Sequence, residues 1–139
     1  MLLENVGEWN QVNGNLMDTN VIIRILNGDE KLVKSLSVLD NLCTSVIVLG
    51  ELFYGEEKSV RTEQNKQNAK DFCSNFPILE IEDKVSEVYG HIKKDLLSHG
   101  NVLPENDMWI AATAIANKVS VITQDKHFES ISGLSVIKM

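Results

Sequence analysis

The chain has 139 residues, 43% of them hydrophobic and 24% charged, which is the size and balance of one globular domain and excludes a disordered chain or a disulfide-stapled miniature. Twenty Asp and Glu against thirteen Lys and Arg leave a formal charge of -7, which excludes a protein that holds nucleic acid by broad phosphate neutralisation alone. No apolar run approaches the roughly 20 residues that cross a bilayer, and Glu4 and Glu8 stand where an export signal would be basic, so no membrane association and a cytoplasmic location are expected.

Residues 1–14 are polar and weakly periodic and read as an N-terminal extension anchored by Trp9, followed by a single domain over residues 15–139. Leu16-Met17 reads as a short strand ending at Asp18, and Val21, Ile22, Ile25 and Leu26 follow with helical spacing behind an N-cap at Thr19 or Asn20. Leu32, Leu36 and Leu39 mark a second helix. Residues 42–45 read as a second strand leading into a helix over 46–54, loosened at Gly55. The long polar side chains of residues 61–74 predict an exposed helix, and 78–81, after Pro77, a short strand. Val85, Val88, Tyr89, Ile92, Leu96 and Leu97 repeat at helical intervals up to the stop at His99-Gly100. Pro104 introduces an alanine-rich helix over 107–117, then 119–123 is the clearest strand and 134–137 the last one. Short strands alternating with helices predict an α/β three-layer fold: a mainly parallel central sheet of four or five short strands flanked by helices.

In such sheets ligands bind beyond the carboxyl ends of the strands, and acids stand there. Asp18 follows the first strand, Asp125 lies just past the strongest one, and Asp107 sits at a helix start. Glu51 interrupts an otherwise apolar helical run. Taken singly, these are ordinary caps, turn formers and solvent-facing residues. Taken together they need a counterion, because two carboxylates about 4 Å apart repel by about 4 kcal/mol at an effective dielectric near 20. No Lys or Arg is close in sequence to Asp18, Glu51 or Asp107. Mg2+ or Mn2+, which favour carboxylate and water oxygen, would relieve the repulsion. Such a site suits phosphodiester hydrolysis by metal-activated water, with Asp18 and Asp107 as direct ligands and Glu51 and Asp125 completing the set.

Four segments in order carry a resemblance: residues 16–23 (LMDTNVII), 45–55 (SVIVLGELFYG), 103–112 (LPENDMWIAA) and 123–128 (TQDKHF). From about Asn15 onward the chain resembles PIN-domain ribonucleases of the VapC type, the toxins of bacterial toxin–antitoxin pairs. The resemblance implies an Mg2+- or Mn2+-dependent endoribonuclease with Asp18, Glu51, Asp107 and Asp125 as catalytic and metal-binding residues. It further implies that Thr19, Asn20 and Thr123 orient ligands or water, that RNA is the substrate, that a cognate antitoxin is the partner and that the chain forms a homodimer. Gln124 departs from the pattern, standing where relatives often carry arginine. The alternatives are a receiver-type signalling domain, which would want a Lys at the later strand end where Thr123-Gln124 stand, and a catalytically silent PIN fold acting as a binding module. A dehalogenase-like phosphatase would want a second Asp where Asn20 stands.

The remaining notable residues have plainer readings. His127, beside the apolar Phe128, reads as a packing or turn residue, and Trp109 as core. Lys58, Arg61, Lys66 and Lys70 read either as an RNA approach or as a solvated, ion-paired face, and Leu52-Phe53-Tyr54 as an exposed contact surface. Glu105 and Glu129 are set outside the metal site. Cys43 and Cys73 lack metal or redox spacing and read as reduced packing residues.

Overall fold

The computed structural model describes residues 13–139; the expected anchoring of the extension by Trp9 lies outside the described residues. In chain order the elements are β1 (Asn15–Met17), α1 (Thr19–Leu26), α2 (Glu30–Leu36), β2 (Leu42–Ser45), α3 (Val46–Glu57), α4 (Thr62–Cys73) and β3 (Ile78–Leu79). They continue with α5 (Asp83–Ser98), α6 (Glu105–Ala116), β4 (Ser120–Thr123), a 3-10 turn (Lys126–Ser130) and β5 (Val136–Lys138). The five strands form one sheet in the order β3-β2-β1-β4-β5, and every neighbouring pair is parallel. Parallel neighbours cannot be joined by a tight hairpin, so a pair of helices separates each of the first three strands from the next, and the segment carrying the 3-10 turn links β4 to β5.

This order places the functional region. The chain leaves β1 toward β2 and β3 on one side, then returns to β4 and β5 on the other, so the strand order reverses between β1 and β4. Helices on either side of that switch diverge and leave a crevice at the strands' carboxyl ends. Its base is rigid because β1 and β4 are buried along their whole length, with Leu16, Met17, Val121 and Ile122 in the core beside Val21, Ile22, Ile110 and Phe128. The alanines of α6 at 111, 112 and 114 are buried too, their small side chains allowing a close helix approach.

The boundaries differ from the periodic reading where capping chemistry intervenes. Asp18, with extended backbone, caps α1 in place of Thr19 or Asn20, because its Oδ1 accepts from the Thr19 N–H at 2.8 Å. The second helix ends at Leu36, and Leu39 packs from beyond it. Gly55 does not loosen α3, which runs on to Glu57. The alanine-rich helix starts at Glu105, directly after Pro104, so Asp107 is its third residue. The strand after Pro77 is confined to Ile78 and Leu79. Leu52 is buried, not exposed, while Tyr54 two residues on faces solvent: an α-helix turns about 100° per residue and cannot present three consecutive side chains to one side.

Gly14 shows how tightly the lower end of the sheet is closed. Its carbonyl accepts from Ser120 N–H at 3.0 Å, and a β-carbon there would stand 2.6 Å from the Asn41 carbonyl oxygen. Backbone cannot yield as a flexible side chain can. Gly14→Ala is therefore expected to destabilise the protein by about 1–3 kcal/mol, read as a lower urea midpoint at unchanged slope; an unaltered midpoint would show that the two segments part freely.

Candidate active site

Asp18 follows β1 directly and is 5% exposed. Its two oxygens are both used: Oδ1 accepts from Thr19 N–H, and Oδ2 accepts from the Thr123 hydroxyl at 2.9 Å. The same hydroxyl oxygen accepts from Asp125 N–H at 2.9 Å. Thr123 thus ties the end of β4 to the end of β1 and sets where the Asp125 loop begins. Thr19, one residue into α1, donates its hydroxyl to Glu51 Oε1 at 2.7 Å and so fixes a carboxylate projecting from α3. Asp107 comes from the first turn of α6. Asp125 caps the following 3-10 turn, its Oδ1 accepting from His127 N–H at 2.9 Å.

These side chains line one open cleft of about 490 Å³, together with Asn20, Pro104, Glu105, Asn106 and His127. All four expected acids, Asp18, Glu51, Asp107 and Asp125, are brought together there, and no Lys or Arg is among the lining residues. Thr19 and Asn20 line the cleft as well, and Thr123 supports it from beneath.

The electrostatics follow from burial and crowding. Burial is the main cause that pushes the Asp18 carboxyl up from 3.8 to about 6; the Thr123 and Thr19 hydrogen bonds oppose it, and the charges of Asp107 and Glu51 add to it. Asp107 is raised too, first by burial and then by the charges of Asp125 and Glu51, against a lowering hydrogen bond from His127. Carboxylates converging with no Lys or Arg among the described lining residues make an oxygen-donor set suited to a hard divalent cation.

One residue near the cleft departs in part from its expected role: His127 sits in the 3-10 turn, as a turn residue would, but it is half-exposed and not packed in the core. Its Nδ1 stands 3.3 Å from Asp107 Oδ2 and 3.2 Å from Asp125 Oδ1. The signal that misleads is Phe128: it is fully buried, but in a 3-10 turn its neighbour points elsewhere. Glu105 lines the rim, yet its carboxylate is engaged by the Tyr89 hydroxyl and by Lys93 Nζ, the latter at 2.8 Å, and these bonds hold it below the usual carboxylate range. It stays outside the converging set, as does Glu129, which pairs with Lys138.

Around the site, Trp109 is half-buried and stacks on Tyr89 with ring centroids 3.9 Å apart. Lys66 is paired with Glu57, and Lys58 and Lys70 lie over the rings of Tyr54 and Phe53 at 4.5 and 5.9 Å, as on a solvated, internally paired face. Gln124 is exposed, its Oε1 3.4 Å from Arg24 Nη1. Cys43 and Cys73 are buried free thiols, and burial pushes Cys43 up to about 11, which suits packing and not reactivity.

A parallel sheet with an acid-lined cleft at its switch point defines an α/β domain with a candidate cation-binding site at its strand ends. The chain belongs to the PIN-domain family, whose model matches residues 16–134. It is 32% identical over 122 residues to ribonuclease VapC2 of Haemophilus influenzae, covering 86% of this chain and 92% of the relative. Its fold superposes on VapBC2 of Rickettsia felis, solved bound to a DNA fragment from its promoter, with a TM-score of 0.85 at 29% identity, covering 90% of this chain and 98% of that one. It also superposes on VapBC-5 of Mycobacterium tuberculosis, a member of the VapBC family of toxin–antitoxin systems, with a TM-score of 0.74 at 26% identity and the same two coverages.

Proposed function

We propose that this chain is a divalent-metal-dependent endoribonuclease, the toxin of a VapBC-type toxin–antitoxin pair, with Mg2+ or Mn2+ held by Asp18, Glu51, Asp107 and Asp125. The observation that carries this reading is the convergence of those four acids on one cleft with no Lys or Arg among the described residues that line it. An RNA phosphodiester is an anion, and the bare cleft would repel it. A divalent ion bound there reverses the local charge, polarises the phosphoryl oxygen and activates the attacking water.

The protein's own part is positioning. Asp18 is buried just beyond β1 and held by one hydrogen bond to each carboxylate oxygen, so its carboxylate is fixed in place. Glu51, projecting from α3, is aimed by Thr19. Because the Thr123 hydroxyl spans Asp18 and the Asp125 loop, the two strand ends stay in register when RNA enters. Such preorganisation keeps the reorganisation cost out of the reaction step. Asn20, exposed on the rim, is placed to orient water or a ribose hydroxyl.

The net charge of -7 fits this account. Four of the acids sit in the site, where divalent ions offset them, and what remains suits a basic segment of a cognate antitoxin covering the cleft at rest. A homodimer and a cytoplasmic setting complete the reading, in which residues 1–14 extend a domain spanning 15–139. Among the described residues no helix is long and apolar enough to cross a membrane, and both thiols are free and buried.

Purified protein incubated with total cellular RNA is expected to cut it when Mg2+ or Mn2+ is added and to be silent in EDTA. Cleavage that persists in EDTA would refute the metal-dependent mechanism. A chain that binds the metal but never cuts RNA would instead be a silent binding module.

A further inference from the structure

We propose that His127 is a nitrogen ligand of the bound cation, making the Asp107–Asp125 side of the cleft a mixed imidazole–carboxylate site that prefers a first-row transition dication such as Mn2+ over Mg2+. This rests on the metal-binding reading above and refines it, since the acids alone leave the two ions undistinguished.

The geometry points to the imidazole from three directions. The side chains of Asp107, Asp125 and His127 each present a donor atom, and all three atoms lie within 4.8 Å of one another, close enough to share one ion. The backbone is fixed on both sides of the histidine: its own N–H is bonded to Asp125 Oδ1, and the next residue, Phe128, is fully buried. The backbone that carries the ring is therefore held beside the cleft, and the ring lines it. Finally, among the described residues Nδ1 faces no polar partner other than these carboxylates. A carboxylate can only accept from Nδ1–H; a metal ion can instead take its lone pair.

Donor chemistry then sets selectivity. Mg2+ binds oxygen almost exclusively and gives up its water reluctantly, so an imidazole adds little to its affinity. Mn2+ stands at the foot of the first transition row, along which affinity for a site with nitrogen donors rises, and it still accepts an imidazole more readily than Mg2+ does. Asp18 and Glu51, on the other wall, remain an oxygen-only pair that either ion can use.

The test uses the full-length protein loaded with Mn2+ and read by pulsed electron paramagnetic resonance, which detects nitrogen bound to the ion through its nuclear modulation. The parent is expected to show an imidazole nitrogen coupling that His127→Gln loses and His99→Gln keeps. By calorimetry His127→Gln is expected to weaken Mn2+ binding about tenfold or more while leaving Mg2+ within about twofold. Circular dichroism checks folding, which a half-exposed side chain should not control. Mn2+ bound with no nitrogen coupling, or equal losses for both ions, would overturn the assignment and leave the carboxylate site standing. Failure of the parent to bind either ion would overturn both.

Discussion

Asp18→Asn is expected to cut RNA at least about 10^3-fold more slowly than the parent, because losing a ligand that helps polarise the phosphoryl group forfeits several kcal/mol, at 1.36 kcal/mol per tenfold. The same protein, kept metal-free, should be more stable than the parent at pH 8. The reason lies in the cost of holding Asp18 ionised in a buried, acid-rich place, where its pKa stands at about 6 against 3.8 for a free carboxyl. For an acid raised on folding, the native state binds the proton more tightly. Its contribution to stability is then fully present below the unfolded value and lost as pH rises through about 6. That gap corresponds to about 3 kcal/mol of unfavourable energy at pH 8. Asparagine removes the charge, keeps an acceptor for Thr19 N–H and offers its amide to the Thr123 oxygen, so most of this is recovered. Thermal unfolding in EDTA at pH 8 and pH 4 checks it: Asp18→Asn should lead clearly at pH 8, with the lead vanishing toward pH 4. A variant less stable than the parent at both values would mean that the hydrogen bonds outweigh the charge.

Much of this site is legible in the sequence because strand ends are. Leu16-Met17 and residues 119–123 are apolar enough to be read as buried strands, and in a parallel sheet the polar residue after each strand must emerge at the same edge. Asp18 and Asp125 follow from that rule alone. Glu51 is visible for the opposite reason, as a charge inside an apolar helix. What periodicity does not carry is the wiring beneath: that Thr123 serves Asp18 and Asp125 at once, or that Thr19 aims Glu51. These bonds join residues 105 and 32 positions apart, and hydroxyl side chains give no periodic signal. The order in which the strands lie is likewise a matter of tertiary packing.

His127 and Leu52 are misread for a common physical cause. The apolar neighbours of each suggest one orientation, whereas the local helical repeat sets another. Leu52 is turned inward and Tyr54 outward along one α-helix; His127 is turned into the cleft because Phe128 takes the core position beside it. The residue adjacent to an anchor is the one freed for chemistry.

Phe128 itself should be the most costly side chain to truncate. It has no exposed surface and is the buried residue of the 3-10 turn that carries Asp125 and His127. Phe128→Ala removes a whole ring from a close-packed interior, which typically costs about 3–5 kcal/mol when the cavity cannot collapse. Collapse is resisted here because the turn is bonded at its start through Asp125 to Thr123, and Ile131 follows buried at its end. Urea unfolding should show a large fall in midpoint. A ligand that binds only the native state at about 100 times its dissociation constant adds about 2.7 kcal/mol of stability. In Phe128→Ala, part of that energy must first reorder the turn, so at the same Mn2+ concentration the gain should be visibly smaller than in the parent. Equal metal-induced gains in both proteins would show that the turn is set independently of the core, and that Asp125 and His127 need no buried anchor to face the ion.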